Sequence, residues 1–105
     1  MYLFIMSIIE NNIDKIRSLC IMHYVDYLYV FGSILTGKFN SSRDIDMGVD
    51  FSGIDVVNYA DNYFNFKTGL EEILEREVDL LEDKAIKNPF LRKSIDVSKQ
   101  VIYGK

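Results

Sequence analysis

The sequence predicts an α/β (α+β) domain, a small mixed sheet flanked by helices. Apolar residues recur at helical spacing over about 7–23 and 56–76. A run of β-branched and aromatic residues with Leu28 among them, Tyr27–Phe31, and a strictly alternating one, Asp44–Phe51, read as strands between them. The resulting order, helix-strand-turn-strand-helix-strand, is that of a sheet domain with packed helices. At 105 residues the chain can bury one core but not two, so 1–105 is read as a single domain.

From Ser7 to about His23, the residues Ile9, Ile13, Ile16 and Cys20 recur at four, three and four, with Ile8 and Leu19 beside them. That is one amphipathic helix with Glu10, Asp14, Lys15 and Arg17 outward. Met1 to Met6 extends it or forms a short strand. His23, the lone histidine, and Cys20, the lone cysteine, read as structural residues. Tyr27–Phe31 has almost no polar residue and fits a strand covered on both faces. Gly32 ends it, Ser33–Thr36 is about one helical turn that Gly37 closes, and Lys38–Arg43 is a polar loop.

Asp44–Phe51 places Ile45, Met47, Val49 and Phe51 on one face, so this strand is expected to be half buried. Ser52-Gly53 turns the chain. In the helix from about Val56 to Arg76, Val56, Ala60, Tyr63, Leu70 and Leu74 share a face widened by Tyr59, Phe66 and Ile73, with Gly69 inside it. Val78–Leu81 is a short third strand. Pro89 suits the first turn of a last helix reaching about Val97, and Gln100–Tyr103 a final edge strand.

The net charge of −4 argues against a nucleic-acid backbone as partner and favours a cation at any acidic site. A single cysteine forms no intramolecular disulfide and no cysteine metal cluster. The apolar start Met1–Ile9 lacks a basic n-region and a small-residue cleavage site, and no run approaches the roughly 20 residues of a membrane span. A cytoplasmic protein is expected.

Gly32-Ser33, after a strand and before a short helix, offers close backbone approach, unpaired N–H groups and a hydroxyl to a phosphate. By itself the pair reads more readily as a helix cap after a tight turn. Gly32-x4-Gly37-Lys38 imitates a P-loop, but Phe39 stands where Ser or Thr must meet magnesium, and no long helix follows. Asp44 and Asp46, two apart on a strand, leave the same face roughly 6.5–7 Å apart and can jointly hold hard cations. Alone they also read as two solvated aspartates. A calcium loop fails because its sixth position, counted from Asp44, is Val49 rather than Gly. Asp79 lies between Val78 and Leu80, so it points away from the core and joins the pair if its strand is their neighbour. Such a cluster is costly unless metal ions neutralise it, and two ions can clamp an in-line phosphoryl displacement.

The combination of Gly32-Ser33, ten intervening residues, Asp44-x-Asp46 and a later aspartate in an apolar strand resembles the minimal nucleotidyltransferases of the DNA polymerase β-like superfamily. More narrowly it resembles the MNT-type antitoxins that pair with HEPN toxins. The likeness spans Phe31-Gly32-Ser33-x3-Gly37, Asp44-Ile45-Asp46, Glu77-Val78-Asp79-Leu80 and Pro89-Phe90-Leu91-Arg92-Lys93-Ser94-Ile95. It implies a polymerase β-like core in which Gly32 and Ser33 bind the β and γ phosphates of ATP. Asp44 and Asp46 would ligate two Mg²⁺, and Asp79 would ligate one of them and help activate an incoming hydroxyl. AMP would move to that hydroxyl with release of pyrophosphate.

Two positions depart from the family pattern. Arg43 stands where serine is frequent and Thr36 where arginine is, so Arg43 either contacts phosphate or faces solvent. The resemblance implies a HEPN-domain ribonuclease as partner in a hetero-oligomer, silenced by AMP on a tyrosine. Two other functions remain open at this stage: an antitoxin that only occludes its partner, and the catalytic subunit of a two-chain enzyme acting on small molecules such as aminoglycosides.

Overall fold

A computed structural model describes residues 2–31 and 44–104. The expected turn at Ser33–Thr36 and loop at Lys38–Arg43 lie outside the described residues. Two helices, α1 (Tyr2–Asn11) and α2 (Ile13–Met22), stand where the periodicity predicts one, and α1 settles the start of the chain as helix. The break falls at Asn12, whose backbone leaves helical values (φ −116°, ψ 17°) and whose Nδ2 donates to the Ile8 carbonyl at 2.8 Å. A short amide side chain gives the backbone an alternative to the helical ladder. The apolar face survives the break: Ile5, Ile9, Ile16 and Cys20 are buried, and Ile13 is half-buried.

Strand β1 (Val25–Phe31) begins two residues earlier than its apolar run suggests, and it is covered on both faces. Leu28 and Val30 join the main core under the first helices, while Tyr27, Tyr29 and Phe31 form a second cluster with Ile95. Strand β2 (Ile45–Phe51) pairs antiparallel with β1, placing Phe31 opposite Asp46 and Tyr29 opposite Gly48. Its residues Ile45, Met47, Val49 and Phe51 face the main core as their alternation predicts.

The other face of β2 is not the solvated one expected of a half-buried strand. Gly48 is buried beneath the Tyr29 ring, where a Cβ would stand 2.1 Å from Tyr29 Cζ. Asp50 is only 9% exposed and meets Lys84 Nζ at 3.1 Å. Alternation reports which residues are apolar. It does not report that a glycine can accept a ring from the next strand.

Helix α3 (Val56–Leu74) starts at Asp55, whose carboxylate accepts the Asn58 N–H at 3.1 Å. Phe66, Leu70 and Leu74 are buried, and Phe66 alone gains roughly 1.5–3 kcal/mol from that burial. Val56, 91% exposed, and Ala60 lie off the expected core face. The contact in this half is made by Tyr59 and Tyr63, whose rings meet Phe51 edge-on and whose hydroxyls donate to Glu82 Oε2 (2.9 Å) and the Leu80 carbonyl (2.5 Å). At Gly69 a Cβ would lie 2.7 Å from Leu19 Cδ1, so the end of the Leu19 side chain on α2 packs closely over the α3 backbone.

Strand β3 (Val78–Glu82) runs parallel to β2, which α3 permits by crossing between them. The sheet is therefore mixed, in the order β3-β2-β1-β4. Along the free edge of β3, the Val78 N–H donates to Glu71 Oε2 at 2.9 Å and the Leu80 carbonyl accepts from Tyr63. Side chains of α3 thus close an edge that would otherwise invite another strand. A single 3-10 turn (Asp83–Ala85) leads to α4 (Pro89–Ser98), whose first turn holds Pro89 and whose Phe90 and Leu91 N–H groups are capped by Asn88. Strand β4 (Gln100–Gly104) pairs antiparallel with β1 at the far edge.

The two residues expected to be structural are so. Burial pushes the Cys20 thiol up to about 12, and the His23 ring bonds the Leu19 carbonyl through Nδ1 at 2.8 Å while packing near Phe66.

Candidate active site

Asp46 is the second residue of β2, and Asp79 the second of β3. In the parallel ladder they are direct partners, one register step on from Ile45 and Val78. Because Ile45, Met47, Val78 and Leu80 all enter the main core, Asp46 and Asp79 leave the opposite face of the sheet. Asp44 immediately precedes β2 and shares this face by the same alternation.

The electrostatics show how closely they gather. Burial raises the Asp46 carboxyl above the usual carboxylate range; the charges of Asp79 and then Asp44 raise it further, as does a hydrogen bond with the Asp79 side chain. Asp46 is half-buried while Asp79 is exposed, so the pair has one inner and one outer member. Among the described residues, no three His, Cys, Asp or Glu side chains are drawn tightly enough together to hold a metal ion. Bare carboxylates repel one another, and the arrangement is a set of neighbours rather than a closed cage. The donors are all carboxylate oxygens, which suit hard cations such as Mg²⁺ and not the soft metals that thiolates select. Gly32, Ser33 and Arg43, the expected phosphate contacts, lie outside the described residues.

Two concavities lie away from the carboxylates. One runs between α1 and the end of α3, lined by Ile8, Asn12, Lys15 and Arg76. The other is lined by His23, Tyr24, Asp55 and Asn62. Neither includes Asp44, Asp46 or Asp79.

A polar network next to the carboxylates was not foreseen from the sequence. The Tyr29 hydroxyl donates to Asp83 Oδ1 at 2.6 Å, and Arg92 Nη2 donates to the same oxygen at 3.0 Å and to Asp96 Oδ1 at 2.9 Å. Burial alone would push the Asp83 carboxyl up; the bonds from Tyr29 and Arg92, with the charges of Arg92 and Lys99, outweigh it and hold the group below its ordinary value. Burial, then Asp83, moves the Tyr29 phenol well above its own. The available signal was Tyr29 itself, a hydroxyl inside a run that has to be covered on both faces.

The family model described as Polymerase beta, Nucleotidyltransferase matches residues 14–105. Two Methanocaldococcus jannaschii proteins, both named as candidate protein adenylyltransferases, are 35% and 33% identical to the chain over 72 residues. Those alignments cover 69% of this chain and 71% and 70% of the relatives. A solved structure of a candidate minimal nucleotidyltransferase superposes with a TM-score of 0.69 at 24% identity, covering 88% of this chain and 90% of that one. A toxin–antitoxin structure with AMP-PNP gives 0.63 at 22%, covering 90% and 74%. The complex of a tri-AMPylated Shewanella oneidensis HEPN toxin with an MNT antitoxin gives 0.60 at 20%, covering 91% and 72%. The solved structures speak for the fold, a mixed four-stranded sheet with helices, and the matched sequence carries the lineage: this chain belongs to the polymerase beta nucleotidyltransferase family.

Proposed function

We propose that this domain, residues 1–105 acting as one unit in the cytoplasm, transfers AMP from ATP to a tyrosine hydroxyl of a HEPN-domain toxin and so serves as its antitoxin. The observation that carries the reading is the pairing of Asp46 with Asp79 across a parallel ladder, on the sheet face opposite the main core. Support for the substrate and partner comes from the relatives named as candidate protein adenylyltransferases, and from like folds in complexes holding AMP-PNP or an AMPylated HEPN toxin.

Asp44 and Asp46 would hold Mg²⁺, with Asp79 sharing one of two ions. When bound, Mg²⁺ neutralises the carboxylates and polarises the phosphoryl oxygens as a Lewis acid. Gly32 and Ser33 follow directly on Phe31, which pairs with Asp46, and they are assigned to the β and γ phosphates together with Arg43. The acceptor oxygen attacks the α-phosphorus, the bond from that phosphorus to the bridging oxygen breaks, and pyrophosphate leaves. The hydroxyl proton passes toward Asp79, whose exposure lets it meet an acceptor arriving from outside.

The test is added mass. Incubated with ATP and Mg²⁺, the wild-type chain should add the mass of AMP to a co-purified HEPN partner. Asp79→Asn should abolish the transfer while the two chains still co-elute. A wild type that silences its partner without adding mass would establish occlusion as the mechanism. Loss of the complex in the variant would make Asp79 an interface residue.

A further inference from the structure

Tyr29 is fully buried, and its ring does not stay on its own strand. It crosses β2 at Gly48, where an added Cβ would collide with it, and its hydroxyl ends on Asp83, the residue immediately after β3. One side chain therefore joins β1 to the end of β3 over the back of β2. The row it occupies, Tyr29–Gly48–Leu81, is adjacent to the row Phe31–Asp46–Asp79. Beyond the crossing, Arg92 fixes Asp83 from α4, and Lys99 Nζ stands 5.1 Å from the centre of the Tyr29 ring.

Strand β3 needs such a tie on this face. It is a sheet edge, paired on one side only, and it carries Asp79 directly opposite Asp46. Like charges facing each other across a ladder push the strands apart. The bonds from Tyr63 and Glu71 hold β3 from the α3 side and leave the carboxylate-bearing face to other groups. A phenylalanine would fill the same volume and leave Asp83 to Arg92 alone. The hydroxyl is the part of Tyr29 that bonds Asp83, the residue that follows the end of β3.

We propose that Tyr29 is a positioning residue, strapping β3 across Gly48 through Asp83 and so setting the separation of Asp46 and Asp79 at which a divalent cation is held. The inference rests on the reading of those carboxylates as metal-holding groups given above.

Tyr29→Phe in the full chain tests it, with two readouts on wild type and variant. Amide hydrogen exchange compares β3 with β4, an edge strand on the opposite side of the sheet that serves as internal control. Electron paramagnetic resonance with Mn²⁺ and ATP gives the apparent metal affinity. The variant should exchange its β3 amides several-fold faster with β4 unchanged, and should bind Mn²⁺ about 10-fold more weakly, as when groups orienting metal ligands are removed. Arg92→Gln, which leaves the phenol in place, should show the same pattern to a smaller degree and decides the matter if Tyr29→Phe does not fold. Unchanged β3 exchange overturns the strap. Faster exchange with unaltered Mn²⁺ affinity reduces Tyr29 to a packing residue and overturns its positioning role. A wild type that binds no Mn²⁺ removes the carboxylate reading itself, recognisable because wild type and variants are then alike, and the inference falls with it.

Discussion

Asp46 and Asp79 stand opposite one another on parallel strands, where burial and the charges of Asp79 and Asp44 raise the Asp46 carboxyl above its ordinary value. Elsewhere the same face balances its charges: Asp50 has Lys84, and Asp83 has Arg92. Like charges held side by side cost stability, and a bound cation or a proton relieves that cost. The contrast also dictates how the two kinds of aspartate respond to substitution and to pH.

Asp46→Asn should stabilise the metal-free protein at neutral pH. The folded-state carboxyl titrates above its unfolded value, so its ionised form opposes folding, and stability is regained as pH falls through the folded value. Removing the charge should raise Tm by roughly 2–4 °C at pH 7, equivalent to about 0.5 kcal/mol in a domain of this size. The advantage should vanish below about pH 4, where the unfolded aspartate is also protonated. A Tm lower than wild type at pH 7 would mean that the Asp46 charge is satisfied by a group other than a metal ion.

Asp83 behaves in the opposite sense. Its folded-state carboxyl titrates below the ordinary value, so it stabilises the fold above the unfolded pKa near about 4, and that stability is lost as pH falls through the folded value. Asp83→Asn should lower stability at pH 7 by about 1–2 kcal/mol, as expected of charge-assisted bonds that are partly solvent-screened. Urea titrations at pH 7 and pH 3 should show the deficit shrinking at the acid end. A constant deficit would assign the loss to altered packing.

Most of the fold was legible because each element carries its own period: the alternation in Asp44–Phe51, the helical spacing of α3, and Pro89 at the start of α4. Asp79 could be oriented from Val78 and Leu80 alone. The register that puts it beside Asp46 could not, because parallel pairing depends on how α3 crosses the sheet. The break at Asn12 leaves no mark on the pattern, because the helical spacing from Ile9 to Ile13 and Ile16 continues through it. The lining of the second face was hidden too, since Tyr29 crosses to Gly48 from another strand and pattern along one strand contains no cross-strand information.

Gly48 and Gly69, each with a side chain packed against it, should respond differently to alanine. In Gly48→Ala the new methyl meets the Tyr29 ring, which is fully buried and bonded to Asp83, so a loss of about 1–3 kcal/mol is expected from overpacking. In Gly69→Ala the methyl meets the flexible end of Leu19, which is only half-buried and can turn aside. There the roughly 1 kcal/mol gain in helix propensity offsets the crowding, and the net change should stay within about 1 kcal/mol. Chemical denaturation of both variants measures this; an equal loss would mean that α2 and α3 are packed as rigidly as the sheet.

Nucleotide and metal should stabilise the protein only together. Carboxylates alone repel the triphosphate, and a cation relieves that repulsion while joining Asp44 and Asp46 to the phosphates. Melting curves should therefore rise with ATP plus Mg²⁺, by about 2.7 kcal/mol at a hundredfold excess over the dissociation constant, and fall back when EDTA is added. Asp44→Asn should remove most of the shift by removing a metal-holding charge. Ser33→Ala should weaken it while leaving the unliganded Tm nearly unchanged, because the hydroxyl is assigned to a phosphate. An equal shift in wild type and Ser33→Ala would leave Ser33 as a helix cap, and an equal shift with ATP in the presence of EDTA would show that the carboxylates hold no cation for the nucleotide.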